Sequence, residues 1–189
     1  MLEFALLAAC LEHGTDHKLI RAIATQESNG VATAFYINKW EMKQFKNLSL
    51  DDAVLVANKV IEEGYTVDVG MMGINSRNVE RFGLTIKEAF DPCTNINIGE
   101  QILHENISLA LSNGYEGNEA IKAALSMYNT GSLKRGFRNG YVDKVWGIYS
   151  ESGEIDARES DITVPWNSVV NLNEPSREKP NWVIGEYND

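Results

Sequence analysis

The most informative stretch of the chain is Val-Asp-Val-Gly-Met-Met-Gly-Ile-Asn at residues 67–75. Residues 65–69 alternate apolar and polar side chains, as do residues 34–38, and this pattern predicts a small β element. Gly70 and Gly73 then bracket two methionines, and glycine lets the backbone approach a neighbouring group closely. By itself, this part of the pattern is typical of a tight turn over core methionines.

Capping signals divide the chain on both sides of this stretch into short helices. Thr15 and Asp16 can begin a helix that runs to about Ser28, where Gly30 stops it. Because there is no alternation of strands and helices and no repeat, we expect a mainly α fold. The other predicted helix starts are Ser49 with Asp52, Ser76, Thr85 with Glu88, Asp91 with Pro92, Asn118 and, for a last helix, Tyr141.

The predicted helical domain covers residues 1–149, and residues 150–189 differ from it in composition. This last segment holds nine acidic and three basic side chains and three of the four prolines. Helical periodicity also stops there, which indicates an extended or disordered tail. A tail that wraps around the domain is the alternative, and the sequence leaves the two open.

Charge and composition exclude several classes of protein. The formal net charge of the 189 residues is −10, so we expect no phosphate-binding surface for DNA or RNA. No apolar run approaches the roughly 18 residues of a membrane span. His13 and His17 have metal-binding spacing, but Gly14 stands where a zinc motif needs glutamate. With no glycine-rich phosphate loop either, we expect neither a metal nor another cofactor.

Two features bear on the cellular compartment: a segment near the N-terminus and the pair of cysteines. Residues 6–10, Leu-Leu-Ala-Ala-Cys, look like a lipoprotein cleavage box, but Glu3 stands where a basic residue is needed. We therefore interpret them as part of an amphipathic helix and expect no export signal in this sequence. Cys10 and Cys93 are either two buried thiols or one disulfide, and the residues alone favour neither.

Glu27 is the first candidate for chemistry. It lies on the predicted helix in line with Leu19, Ile20 and Ile23, at the end of an apolar stripe. Partial desolvation raises the pKa of a carboxyl group, and a carboxylic acid that is still protonated near neutral pH can act as a general acid. The alternative is a solvated carboxylate at a fraying helix end, which the spacing alone favours.

Tyr128 and Asn129 form the second candidate, within Ala-Leu-Ser-Met-Tyr-Asn-Thr-Gly at residues 124–131. A predicted helix ends in this segment, and from its last turn the Tyr128 hydroxyl can be presented to a carboxylate. The alternative is a half-buried tyrosine above a helix C-cap.

Together and in this order, these segments resemble the soluble lytic transglycosylase superfamily, with its lysozyme-like fold. The nearest resemblance is to the small transglycosylase subunit of bacterial type IV secretion and conjugation systems. It covers residues 1–149 and leaves the tail out. The segments that carry it are Glu27-Ser28, residues 68–75, residues 90–96 (Phe-Asp-Pro-Cys-Thr-Asn-Ile), and Tyr128–Gly131 followed by Gly140–Val142.

The resemblance implies a peptidoglycan-cleaving enzyme in which Glu27 is the single catalytic acid and base. Glu27 would protonate the glycosidic oxygen between N-acetylmuramic acid and N-acetylglucosamine. It would then accept the proton of the muramic acid 6-hydroxyl, which attacks C1 and leaves a 1,6-anhydro end. By the same resemblance, Ser28 supports Glu27, Tyr128 hydrogen-bonds it, and Asn129 helps to shape the cleft.

The resemblance also implies a substrate cleft whose residues are Met72, Gly73, Ile74 and Asn75. Gly73 departs from the family pattern, which has a substrate-contacting glutamine at this position. Asp68 is the nearest candidate for the second carboxylate that an ordinary glycosidase needs. A role for Asp68 in a turn is favoured over that one.

The family further implies a Cys10–Cys93 disulfide and a location in the periplasm, with the glycan strands of peptidoglycan as partner. The tail, residues 150–189, is a candidate for recruiting type IV secretion components. Three alternatives stay open: a hydrolytic muramidase on the same fold, a non-catalytic glycan-binding assembly factor, and a helical interaction domain whose motifs match by chance. A muramidase differs from a transglycosylase in its product, which has a reducing end.

Overall fold

In a computed structural model of the chain, the described residues are 9–12, 14–38, 44–45 and 48–152. They fold mainly as α-helices with one small antiparallel sheet, which confirms the predicted fold class. The chain divides into two compact units, residues 1–101 and 102–189. Among the described residues, no helix combines the length and the apolar character that crossing a membrane requires.

The first unit contains the sheet. Its strands are β1 (Phe35–Ile37), β2 (Gln44–Phe45), β3 (Val67–Val69) and β4 (Ile74–Asn75), in the spatial order β2-β1-β3-β4. The predicted β element over residues 34–38 and 65–69 is thus confirmed as the central antiparallel pair, β1 with β3.

Along the sequence of the first unit, helices precede, separate and follow these strands. They are α1 (His17–Ser28), α2 (Leu50–Glu62), α3 (Ser76–Arg81), α4 (Ile86–Ala89) and the first part of α5 (Pro92–Ser112). The core of the first unit consists of fully buried side chains from these helices, the sheet and the segment between β3 and β4. The largest of them are Ile20, Ile23, Phe35, Val67, Val69, Met71, Met72, Ile74 and Ile96.

The second unit contains the end of α5 and the helices α6 (Gly117–Thr130), α7 (Arg135–Arg138) and α8 (Tyr141–Glu151). Ala110, Ala120 and Ala123 pack together, with Tyr115 and Leu133 against them. Because three alanines meet in this cluster, the helix backbones can approach closely there.

Most helices begin at the predicted caps. The Asp16 side chain accepts a hydrogen bond from Lys18 N at 2.9 Å, and the Ser49 side chain accepts one from Asp52 N. Thr85 and Glu88 form the predicted capping box. Such caps satisfy the backbone N–H groups that the first turn of a helix leaves without partners.

Two predicted caps are wrong. Helix α3 is capped by Asn75, whose Oδ1 accepts from Arg77 N at 3.1 Å, while the Ser76 hydroxyl accepts from Val67 N instead. Helix α6 begins after Glu116 with no side-chain cap, so Asn118 lies inside the helix rather than at its start.

A disulfide joins Cys10 to Cys93 at the start of α5, with the two Cα atoms 4.9 Å apart. Their sequence separation of 83 residues corresponds to a stabilisation of about 4 kcal/mol in the chain-entropy account. The buried Glu100 carboxylate holds the same N-terminal segment, because it accepts hydrogen bonds from Glu12 N and Thr15 N, both at 3.0 Å.

Two predicted features fall largely outside the described residues. The cleavage-box segment at residues 6–10 is described only at residues 9 and 10, which are helical. The predicted tail is described only as far as residue 152, and helix α8 runs through Glu151.

Candidate active site

Glu27 lies in the last turn of α1, at the boundary between the core and solvent. Leu19, Ile20 and Ile23 on the same helix are buried, and Glu27 itself is half-buried. The helix ends at Asn29, which adopts the left-handed conformation with φ of 60°. This C-cap turns the chain two residues after Glu27, so the carboxylate lies at the end of the buried stripe.

Ser28 fastens this helix end to residues 70–73, which we call the glycine turn. Its hydroxyl is buried and lies 2.9 Å from the carbonyl oxygen of Met71 and 3.1 Å from that of Ala24. The same hydroxyl accepts a hydrogen bond from Gly30 N at 3.1 Å. Ser28 therefore determines where the last turn of α1 meets the glycine turn.

Asn95 holds the glycine turn from the other side. This fully buried side chain donates from Nδ2 to Val69 O at 3.0 Å and to Ala89 O at 2.7 Å. Its Oδ1 accepts from Met72 N at 2.7 Å. Removing this amide would break three hydrogen bonds to backbone groups in the core, each worth about 1 kcal/mol.

The sequence pattern gave Asn95 no role, although Asn95 lies in one of the segments that carry the resemblance. The available signal was its place beside Ile96, near the start of a helix that carries an apolar stripe. A polar amide in such a position is buried only when it is hydrogen-bonded, which points to a structural clamp.

Both glycines of the glycine turn have positive φ, 76° at Gly70 and 60° at Gly73. A Cβ atom at position 70 would lie 2.5 Å from Asn95 Cγ and 2.8 Å from Asn95 Oδ1. A Cβ at Gly99, on α5, would lie 2.9 Å from Met72 Cγ. These absent side chains let the turn, Asn95 and α5 pack closely.

Gly73 touches the candidate acid itself. A Cβ atom at position 73 would lie 2.9 Å from Glu27 Oε2 and 3.3 Å from Glu27 Cδ. The Glu27 carboxylate therefore lies directly over the bare Cα atom of Gly73. A glutamine at this position, as in the family pattern, would need the space that the carboxylate occupies here.

The remaining residues of the predicted cleft divide into two groups. Gly73 and Asn75 are half-buried and reach the surface of the first unit. The side chains of Met72 and Ile74 are 0% and 1% exposed, so they belong to the core and support the turn from beneath.

Asp68 is the middle residue of β3, so its predicted role in a turn is wrong. Its Oδ1 accepts hydrogen bonds from Asn75 Nδ2 at 2.7 Å and from Asn38 Nδ2 at 3.1 Å. Burial raises the pKa of Asp68 to about 6, although the two amide hydrogen bonds act in the opposite direction.

Tyr128 and Asn129 lie in the last turn of α6, in the second unit, and both are half-buried. The helix ends at Gly131 with φ of 64°, whose N–H donates to Met127 O at 2.7 Å. Asn129 Oδ1 accepts from Asn139 Nδ2 at 2.9 Å. The predicted hydrogen bond between Tyr128 and Glu27 stays a prediction.

The loop after α6 is held by a buried serine. Ser126 Oγ accepts from Gly136 N at 2.8 Å, and a Cβ at Gly136 would lie 2.6 Å from Ser126 Cα. Arg135 Nη2 donates to Thr130 O at 2.6 Å. These contacts fix the C-terminus of α6, and with it the backbone that carries Tyr128.

The sequence profile of the Transglycosylase SLT domain family matches residues 5–145. The chain belongs to this family. The predicted resemblance is thereby confirmed, and the lysozyme-like fold of SLT domains agrees with the helices and small sheet described above.

Two curated relatives of this SLT domain are virB1 proteins. The chain is 40% identical over 86 residues to Protein virB1 of Agrobacterium fabrum, across 45% of this chain and 34% of the relative. It is 33% identical over 105 residues to Type IV secretion system protein virB1 of Brucella abortus, across 52% of this chain and 44% of the relative. The matches thus span less than half the length of these relatives. No solved structure matches the chain.

The SLT domain therefore offers two carboxylates in its first unit with different surroundings. Glu27 lies over a glycine at the end of a helix, and Asp68 lies in the sheet between two amides. In the part of the chain that the structure describes, no three His, Cys, Asp or Glu side chains gather as they would around a metal ion.

Proposed function

We propose that this chain is a peptidoglycan lytic transglycosylase that uses Glu27 as its single acid and base. The observation that carries the proposal is the Glu27 carboxylate over Gly73, at the edge of the buried stripe of α1. A half-buried carboxyl group is suited to proton transfer because it is held by the fold and can still reach a bound substrate. Membership of the SLT family supports the same activity.

The reaction needs two proton transfers at one carboxyl group. Protonated Glu27 donates its proton to the oxygen that joins C1 of N-acetylmuramic acid to O4 of N-acetylglucosamine, and this C1–O bond breaks. The muramic acid 6-hydroxyl then bonds to C1 while its proton passes to the Glu27 carboxylate. The products are a 1,6-anhydro end and a free 4-hydroxyl, and Glu27 is again protonated. Since the nucleophile belongs to the substrate, no second catalytic carboxylate is required.

The rest of the first unit holds Glu27 in place. Ser28 ties the end of α1 to the glycine turn, and Asn95 ties the glycine turn to β3 and to the end of α4. A general acid must be held within a few tenths of an ångström of its working position, and buried hydrogen bonds of this kind provide such rigidity. Tyr128 and Asn129 are proposed to complete the site as the resemblance implies.

The proposed setting is local opening of the cell wall for a type IV secretion or conjugation system, in the periplasm. The name of the matched Brucella abortus relative, Type IV secretion system protein virB1, supports this setting. The acidic tail is then a candidate for recruiting the secretion machinery. A chain that ends at residue 152 keeps α8 intact, so it should cleave glycan at the full rate but fail to support secretion. Unchanged secretion by this truncated chain would contradict the tail's role.

The decisive test of the activity is mass spectrometry of the soluble products from purified peptidoglycan. We expect muropeptides with 1,6-anhydro ends. Reducing ends would contradict the transglycosylase reaction and favour the hydrolytic muramidase. The absence of any product from a folded, disulfide-bonded chain would favour the non-catalytic glycan-binding factor.

A further inference from the structure

The segment between α6 and α8 has a charge opposite to that of the whole chain. Residues 129–142 contain three basic side chains, Lys134, Arg135 and Arg138, and no acidic one, whereas the net charge of the 189 residues is −10. We call residues 132–140, which include α7, the basic loop. In so acidic a chain, a local positive surface is where an anionic ligand is attracted.

Two cations of the basic loop take no part in the fold. Lys134 and Arg138 are exposed, and neither forms an ion pair with a described residue. Lys122 of α6 shows the contrast, because its Nζ lies 2.9 Å from Glu119 Oε1 and 4.9 Å from the centre of the Trp146 ring. The charges of the two loop cations therefore stay available to a ligand.

The backbone of the basic loop is held firmly against α6. Arg135 Nη2 donates to Thr130 O at 2.6 Å, and Gly136 N donates to Ser126 Oγ at 2.8 Å. Leu133 packs against the alanine cluster of the second unit. The two exposed cations are thus carried by a fixed backbone, and a ligand that binds them does not have to order the loop first.

The basic loop also contacts a residue of the proposed active site. Asn139 Nδ2 donates to Asn129 Oδ1 at 2.9 Å, and Asn139 directly follows Arg138. Asn129, with Tyr128, is proposed to complete the site. A substrate that touches Asn129 therefore lies close to the basic loop.

Peptidoglycan offers one main class of anion to such a loop. Its sugar backbone carries short peptides on the muramic acid residues, and these peptides have free carboxylates. We propose that the basic loop is a binding subsite for the peptide carboxylates of the substrate, with Lys134 and Arg138 as their charged partners. The inference rests on the proposed function, because it concerns the substrate on which Glu27 acts.

Paired substrates test this subsite. One is purified peptidoglycan, and the other is the same material after its carboxylates have been converted to primary amides. On the first, the double variant Lys134→Gln/Arg138→Gln should lower kcat/KM about tenfold, because two charge-assisted contacts are lost. On the amidated material it should match the wild type.

The matched control is the double variant Lys59→Gln/Arg77→Gln, which changes the net charge by the same amount. Both residues are exposed cations of the first unit without an ion pair among the described residues. We expect this control to keep wild-type kcat/KM on both substrates. Equal losses of kcat/KM for the loop variant on charged and amidated peptidoglycan would overturn the subsite.

Binding to an inactive chain gives a readout without catalysis. In the full chain carrying Glu27→Gln, cosedimentation with peptidoglycan should show an affinity about tenfold lower when Lys134→Gln/Arg138→Gln is added. The difference should vanish in about 1 M salt, where the Debye length falls to about 3 Å. Equal affinity of the loop variant and the control variant for peptidoglycan at low salt would overturn the subsite.

The acidic tail is the other anion that could occupy the basic loop, since residues 150–189 hold nine acidic side chains. A tail bound to the loop would keep the substrate away from it in the full chain. A loss of peptidoglycan affinity that appears only in a chain ending at residue 152 would therefore assign the loop to the tail and overturn the subsite.

The two proposals fail in different ways. If the wild-type chain yields anhydro products while the loop variant keeps wild-type affinity and kcat/KM, the subsite is wrong and the transglycosylase reaction stands. If the wild-type chain yields no anhydro product while the loop variant binds charged peptidoglycan more weakly than the control does, the subsite stands and the reaction is wrong.

Discussion

The two glycines of the glycine turn give the same signal in the sequence and serve different purposes in the structure. Gly70 makes room for the buried Asn95 amide, which is hydrogen-bonded to three backbone groups. Gly73 makes room for the half-buried Glu27 carboxylate. Close approach at Gly70 therefore stabilises the fold, whereas close approach at Gly73 sets the position of the acid.

A third glycine provides a reference for this comparison. Gly83 has φ of 71°, close to the values at Gly70 and Gly73, but an added Cβ atom there would meet nothing within 4 Å. Gly83→Ala therefore measures the backbone strain alone, which we expect to cost about 1 kcal/mol of unfolding free energy. A larger loss of unfolding free energy at Gly70 or Gly73 then measures the cost of the contact that the added methyl group makes there.

The largest effect on stability is expected from Gly70→Ala. The added methyl group would overlap Asn95, and overpacking of this kind costs about 1–3 kcal/mol beyond the strain. The total loss in unfolding free energy, measured by urea denaturation, should be about 3 kcal/mol. A loss no greater than that of Gly83→Ala would show that Asn95 can move aside without cost.

Gly73→Ala should instead affect activity. Its methyl group would meet the mobile end of the Glu27 side chain, so the fold can adjust by displacing the carboxylate. We expect the rate of glycan cleavage to fall about 100-fold, the order of loss for a catalytic group moved by about 1 Å. The loss of stability should match that of Gly83→Ala. Full activity in the Gly73→Ala chain would show that the function of Glu27 does not depend on its contact with Gly73.

The pH dependence of the unfolding free energy should reflect the titration of Asp68. The pKa of Asp68 is raised from 3.8 to about 6 in the folded chain, so the folded state binds this proton more tightly than the unfolded state. Its contribution to stability is therefore greatest below about pH 4 and is lost as the pH rises to about 6, by on the order of 2 kcal/mol. Asp68→Asn should remove that component of the pH profile. An unchanged profile in the Asp68→Asn chain would contradict the raised pKa.

Ser28→Ala should have a small effect on stability and the smallest effect on the cleavage rate. It removes one hydrogen bond between α1 and the glycine turn, worth about 1 kcal/mol. Because this bond positions the last turn of α1, we also expect the cleavage rate to fall several-fold. Thr25→Ala is the control, since among the described residues the Thr25 Oγ1 hydrogen bond stays within the helix, to Arg21 O at 2.7 Å. Equal cleavage rates in the two variants would contradict the positioning role of Ser28.

Local chemistry made much of the fold predictable. Asp16 and the Thr85–Glu88 pair cap helices through bonds to residues two or three positions away, so the signal lies within a few letters of sequence. The prediction failed at Ser76 because its hydroxyl bonds to Val67 across the sheet, which leaves the cap to Asn75. The four-residue helix α7 escaped prediction because so short a helix has no periodicity to detect.

The candidate site was predictable in its residues but not in its contacts. Glu27 and the glycine turn stand out through helix spacing and paired glycines, yet nothing in either segment shows that Gly73 lies under Glu27. The turn role expected for Asp68 is wrong, because pairing with Tyr36 and Asn75 places this residue in a strand. These relations depend on strand register and tertiary packing, which a single sequence does not specify.

The most direct test of the central claim compares Glu27→Gln with Glu63→Gln, a change at an exposed glutamate after α2. Glutamine has nearly the same shape as glutamate but donates no acidic proton. With Glu27 as the single acid and base, the rate of anhydro-product release should fall about 1,000-fold or more in the Glu27→Gln chain, with stability preserved, and stay at the wild-type level in the Glu63→Gln chain. Release of anhydro products at a comparable rate by the Glu27→Gln chain would contradict the account.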